Sequence, residues 1–132
     1  MAEVLNFELV SPERRLAAGE ADSVTIPGIE GDLTAMVNHA AFLTSLRPGF
    51  VTVRAARGEE IYFVSGGFAE VTAGAVSVLA DEAMEKSALT REYLEGRIRE
   101  AEEALEAAPA SRKQAARQKL DDLRALLGQI GG

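Results

Sequence analysis

The spacing of apolar residues changes once along the chain, near Ala83, and that change limits the fold more than any single motif does. Before it, segments alternate apolar and polar residues or are rich in β-branched ones: Phe7-Glu8-Leu9-Val10, Ser23-Val24-Thr25-Ile26, Val51-Thr52-Val53-Arg54, Ile61-Tyr62-Phe63-Val64 and Val76-Ser77-Val78-Leu79. Period two puts one face of each segment in a core and leaves the other polar. Turn signals separate them, at Pro12, Gly19, Pro27-Gly28, Gly31, Pro48-Gly49, Gly58, Gly66-Gly67 and Gly74. Roughly eight or more such strands, with no crossover helix between them, predict an antiparallel β-sandwich or flattened barrel. It is expected to occupy residues 1–83. Val71 to Val76 reads as a hairpin, with Gly74 supplying the positive φ of its turn.

From Met84 the period lengthens. Leu94, Ile98, Ala101 and Leu105 form one stripe, and Ala116, Leu120, Leu123, Leu127 and Ile130 a second. Residues 84–132 are therefore expected to form an antiparallel two-helix hairpin, with helices over about 90–108 and 111–129. Thr90 reads as the first N-cap with Glu92 in the first turn, Ser111 and Gln114 as a capping box, and Pro109 as the break. Two helices alone bury a single seam, so the hairpin needs the sandwich or a partner to dock against. An element with two docking sites is a switch; the alternative is a permanently docked hairpin that completes the fold.

Charge follows the same boundary. The chain carries a formal charge of -7, all of it in the lysine-free first part; the hairpin is balanced, with an acidic first helix and a basic second one. Such a balance disfavours nucleic acid and anionic bilayers as partners. No apolar run spans a membrane and no signal precedes the first strand, so a soluble chain without direct membrane insertion is expected. There is no cysteine and one histidine, which removes thiolate chemistry and the usual metal sites. Ser65, His39 and Asp81 can be assembled into a triad on paper, but no nucleophile elbow surrounds Ser65. Gly66-Gly67 lacks the following helix and lysine of a phosphate loop, and reads as a bulge or close backbone contact. No catalytic residue, metal site or required cofactor is expected.

Five pieces, in order, carry a resemblance: Gly19-Glu20-Ala21-Asp22-Ser23-Val24-Thr25-Ile26-Pro27-Gly28-Ile29-Glu30-Gly31-Asp32-Leu33; Asn38-His39-Ala40; Leu46-Arg47-Pro48-Gly49; Ser65-Gly66-Gly67-Phe68-Ala69-Glu70-Val71; and Val78-Leu79-Ala80-Asp81-Glu82-Ala83, with the two-helix hairpin following them. Together they resemble the epsilon subunits of bacterial F-type ATP synthases. The resemblance implies a non-catalytic central-stalk subunit, with catalysis on the alpha and beta subunits of the proton-translocating complex. It implies an antiparallel flattened β-sandwich that grips the gamma subunit and sits on the c-subunit ring, peripheral to the cytoplasmic face of the inner membrane. Glu30, Gly31 and Asp32 would face the ring and His39 would lie near gamma. The hairpin would fold down or extend along gamma, and extension would set Arg112, Lys113, Arg117, Lys119 and Arg124 beside an acidic segment of the alpha and beta subunits.

Two places depart from the family pattern. Where many members carry an ATP-binding Leu/Ile-Asp-x-x-Arg-Ala motif, this chain reads Leu89-Thr90-Arg91-Glu92-Tyr93-Leu94. ATP as a regulatory ligand is therefore not expected by that route. The same letters recur later as Leu120-Asp121-Asp122-Leu123-Arg124-Ala125, where Asp121 and Arg124 are either displaced nucleotide ligands or an i, i+3 ion pair. Thr34-Ala35-Met36 stands where the family more often has Gly and Pro, which alters the local loop. The residues themselves leave one further alternative open, a free-standing sandwich that binds a small molecule or protein and dimerises through its helical tail.

Overall fold

A computed structural model describes residues 4–130, so Met1, Ala2 and Glu3 of the leading segment lie outside the described residues. The alternating stretches pair as eight strands: β1 (Leu5–Val10), β2 (Arg15–Ala21), β3 (Ser23–Gly28), β4 (Gly31–Met36), β5 (Phe42–Ser45), β6 (Gly49–Ala55), β7 (Gly58–Val71) and β8 (Ala75–Glu85). Hydrogen bonding runs in the order β2-β1-β8-β7-β6-β3-β4, with β5 paired to β7. Every pairing is antiparallel except that of β1 with β8, which joins Asn6–Val10 to Ala75–Leu79 in parallel. Parallel strands need a long connection, and the intervening strands supply it without a crossover helix.

Strand β7 serves both layers. Its first half pairs with β6 through Val64, and its second half pairs with β5 from Phe68. Between the halves, Gly66 and Gly67 hold φ values of 73° and 97°, a region closed to most side chains. The inward residues are Tyr62 and Val64 before them and Ala69 and Val71 after, so the core-facing side passes from even to odd positions. Pairing with β8 keeps one register throughout, Ser65 with Glu82 and Gly67 with Ala80. The glycine pair is thus a twisted corner rather than a bulge. The close backbone contact is present: a side chain at Gly67 would overlap the Leu79 carbonyl.

The core lies between the layers and is built of Leu5, Phe7 and Leu9 from β1, Val24 and Ile26 from β3, Val51 and Val53 from β6, and Val76 and Val78 from β8, among others. Each such side chain contributes roughly 1.5–3 kcal/mol on burial. The β7–β8 connection is the expected hairpin, closed by the Thr72 N–H donating to the Ala75 carbonyl at 2.9 Å. Gly74, however, is not among the residues with positive φ. A loop longer than two residues closes without a mirror-image turn, and the Gly74 carbonyl instead accepts from the Asn6 N–H.

The chain divides into two compact units, one up to Lys86 and the other from Ser87. The second unit holds helices α1 (Arg91–Ala107) and α2 (Lys113–Gln129). Thr90 caps α1, its Oγ1 accepting the Tyr93 N–H at 3.0 Å. Leu94, Ile98 and Ala101 are buried on α1, and Leu120, Leu123 and Leu126 on α2. Leu126 is buried where Leu127 was expected, and Leu127 is half-buried, so the covered stripe of α2 is wider than the sequence pattern implies. The capping box at Ser111 and Gln114 does not form. A 3-10 turn over Ala110–Arg112 follows Pro109, so α2 begins at Lys113 with Arg112 as an N-cap that makes no side-chain bond.

Candidate functional site

The acidic turn read from Glu30, Gly31 and Asp32 is the tip of the β3–β4 hairpin. Gly28 pairs with Gly31, leaving Ile29 and Glu30 as the two tip residues. Neither has positive φ; the conformational demand falls on Gly31, at φ 140°. The tip is strapped to the segment joining β5 and β6 on its other side. The Ile29 N–H donates to the Ser45 carbonyl at 2.8 Å and the Arg47 N–H to the Pro27 carbonyl at 3.0 Å. From there the Arg47 guanidinium donates to the Gly28 carbonyl and to the Asp32 carboxylate, each at 2.5 Å. Glu30 has no hydrogen bond or ion pair among the described residues, and Ile29 is 56% exposed.

A second feature was not singled out from the sequence. On the outer face of β5, β7, β8 and β1, the register aligns Ser45, Phe68, Leu79 and Val10 in one row and Leu43, Glu70, Ser77 and Glu8 in the next. Leu43 is 69%, Phe68 53% and Leu79 49% exposed. The available signal was that Phe68 and Leu79 fall out of phase with the inward Ala69, Val71, Val78 and Ala80, so these strands are apolar on both faces. Contiguous exposed apolar groups of this kind mark interaction sites. His39 stands at one end of this sheet, in the turn between β4 and β5. Its N–H donates to the Met36 carbonyl at 3.1 Å, and its Nδ1 lies 2.7 Å from the Ala40 carbonyl. The Asn38 N–H reaches the Ala73 carbonyl at 2.7 Å, tying this turn to the β7–β8 loop.

The basic residues of the hairpin divide into two groups. Lys113 Nζ donates to the Leu105 carbonyl at 2.8 Å and to that of Glu106 at 3.4 Å, adding to the Ala108 N–H that already reaches Leu105 at the C-terminus of α1. Arg124 pairs with Glu102 of α1 at 2.9 Å, not with Asp121, so the i, i+3 ion pair does not form. Arg112, Arg117 and Lys119 are exposed and have no ion pair among the described residues. Asp121 is likewise exposed, whereas Asp122 accepts from Gln118 at 3.0 Å.

Ser65, His39 and Asp81 do not come together as a triad. Ser65 is buried, the Asp81 carboxyl packs over Gly66, and no hydrogen bond among the described residues joins them to His39. A cavity of about 510 Å³ beside β2 is lined by Phe7, Leu16, Arg57, Glu60 and Tyr62. Burial, reinforced by Glu60 and Glu85 and opposed by Arg57, raises the Tyr62 phenol above its ordinary pKa. Among the described residues no helix is long and apolar enough to cross a membrane.

Comparison with known proteins places these surfaces in context. Residues 4–86 match the family described as ATP synthase, Delta/Epsilon chain, beta-sandwich domain. The chain is 47% identical over 130 residues to the ATP synthase epsilon chain of Rhodobacter capsulatus, covering 98% of both chains. It is 52% identical over 101 residues to that of Ruegeria sp., covering 76% of this chain and 74% of the relative. Among solved structures, a chain of the Euglena gracilis mitochondrial ATP synthase, in an OSCP/F1/c-ring assembly, shares the fold with a TM-score of 0.74 at 22% identity, over 98% of this chain and 82% of that one. A chain of the Tetrahymena thermophila mitochondrial ATP synthase central stalk and c-ring gives a TM-score of 0.64 at 17% identity, over 97% and 96%.

Proposed function

The chain belongs to the epsilon-chain family of ATP synthases, and from that premise we propose that it couples the gamma subunit to the c-subunit ring in the central stalk of a proton-translocating F-type enzyme. Epsilon chains are non-catalytic subunits, so this chain is not an enzyme by itself. The observation that carries the coupling role is the outer sheet face of Leu43, Phe68 and Leu79, an apolar surface on an otherwise acidic domain. A rotor shaft such as gamma is its occupant in this reading, with His39 at the margin. The β3–β4 tip then meets the polar loops of the ring, on the cytoplasmic face of the inner membrane.

Regulation belongs to the hairpin. Extended along gamma, it offers Arg112, Arg117 and Lys119 to an acidic segment of the alpha and beta subunits. Lys113 and Arg124 serve the hairpin's own structure, which narrows the five-residue basic face to three. ATP has no role in this reading: Arg124, needed by the displaced motif, is held by Glu102.

The test is size-exclusion chromatography of the purified chain with a catalytic head and gamma depleted of this subunit. One copy co-eluting per head supports the reading. A chain that stays free, while the head accepts its native epsilon chain, overturns it; self-association through the helices would then favour the free-standing binding module.

A further inference from the structure

We propose that Arg47 is a positioning residue that latches the β3–β4 tip, and that by holding Asp32 it leaves Glu30 and Ile29 as the groups this tip presents to the ring. The inference rests on the stalk reading for the identity of the partner, but the latch is a property of the sandwich alone.

Three observations converge on it. The tip is bonded on both sides, to β4 through the Gly28–Gly31 pair and to the β5–β6 segment through Ile29 and Arg47 backbone groups. The Arg47 fork then joins the two flanks, one amino group on the Gly28 carbonyl and the other on the Asp32 carboxylate. Space is tight beneath it: a side chain at Gly28 would lie 2.8 Å from the Gly31 carbonyl, and one at Gly49 would lie 2.6 Å from Pro27 Cβ. Such a knuckle docks without ordering itself first, which removes an entropic cost from binding.

The latch also separates two carboxylates that the sequence presents as equals. Asp32, its own side chain 64% exposed, pairs with a guanidinium only 26% exposed, so its charge is answered in part within the chain. Glu30 has no such partner and stands beside an exposed isoleucine. The matching surface is a loop that offers one apolar contact and one lysine or arginine.

The test uses the full chain with variants Arg47→Gln, Arg47→Lys, Asp32→Asn and Glu30→Gln. Two readouts are taken: amide hydrogen exchange at Ile29 to Gly31, and binding to a gamma and c-ring complex depleted of this subunit and held in nanodiscs. Arg47→Gln is expected to speed tip exchange and weaken binding, each about tenfold, as for loss of charged hydrogen bonds. Arg47→Lys should restore part of both, because an ammonium supplies the charge without the fork. Glu30→Gln should weaken binding about fivefold and lower its salt dependence while leaving tip exchange unchanged. Asp32→Asn retains an acceptor oxygen and should change binding by less than about threefold.

Unchanged exchange and binding in Arg47→Gln overturns the latch, as does a larger binding loss from Asp32→Asn than from Glu30→Gln. If Arg47→Gln fails to fold, Arg47→Lys and Asp32→Asn decide by the same two readouts. A wild-type chain that does not bind overturns the stalk reading and the Glu30 assignment together, whereas faster exchange in Arg47→Gln still upholds the latch.

Discussion

Replacing Phe68 with serine should loosen the chain's hold on gamma while leaving the sandwich folded. Phe68 is 53% exposed and lies between Ser45 and Leu79 in the outer row. A phenylalanine side chain carries roughly 200 Å² of surface, so about 100 Å² remains for a partner to cover. At about 25 cal/mol per Å², that area is worth roughly 2.5 kcal/mol, or about a 60-fold change in Kd. The free chain also loses the covered half of the ring, so by the same coefficient its stability should fall by up to about 2.5 kcal/mol. Isothermal titration of both chains into an epsilon-depleted head with gamma measures the ratio directly, with urea unfolding as the control. Binding within about threefold of wild type, in a variant that the urea curve shows to be folded under the titration conditions, would refute assignment of this face to gamma.

Gly67→Ala should lower sandwich stability by about 3 kcal/mol or more, from its overlap with the Leu79 carbonyl and its φ of 97°; Gly74→Ala, in open space, should stay near wild type in the same denaturant titration. Lys113→Met should destabilise the hairpin by about 1 kcal/mol, because it removes a charged hydrogen bond and leaves the Leu105 carbonyl only the longer one from the Ala108 N–H, and helical circular dichroism on heating reports it. For Tyr62 the native state favours the protonated phenol, so its contribution is complete below the unfolded pKa, near 10, and is lost as pH rises through the higher folded value. Unfolding midpoints measured from pH 8 to 12 should therefore fall less steeply in Tyr62→Phe, and parallel curves would contradict the assignment.

The two-part plan was legible because it rests on periodicity, which is local. Strands β1, β3, β6 and β8 contain the alternating segments, and Thr90 caps α1 because a hydroxyl needs only the next turn's N–H groups. Alternation assigns residues to two faces, but it does not say whether the second face meets water or a partner. For that reason Phe68 and Leu79 passed as ordinary strand positions. The Arg47 latch was hidden differently, since it joins residues brought together only once β3, β4 and the β5–β6 segment are in register. Ser111 shows the opposite failure. Its motif was correct in letters, but Pro109 spends the next residues in a 3-10 turn and moves the helix start beyond it.

The parallel match of β1 with β8 sets an order of events during synthesis. Leu5, Phe7 and Leu9 emerge from the ribosome early, yet the strand that flanks them, Ala75–Leu79, is among the last parts of the sandwich to be made. Until then one backbone edge of β1 stays unpaired, and pairing across so long a separation is slow. The helices of the second unit need only each other's neighbourhood in sequence and can form in far less time. Closure of the sandwich is thus a late, single step that the first strand must await, and nascent chains stalled short of β8 are the species most exposed to aggregation.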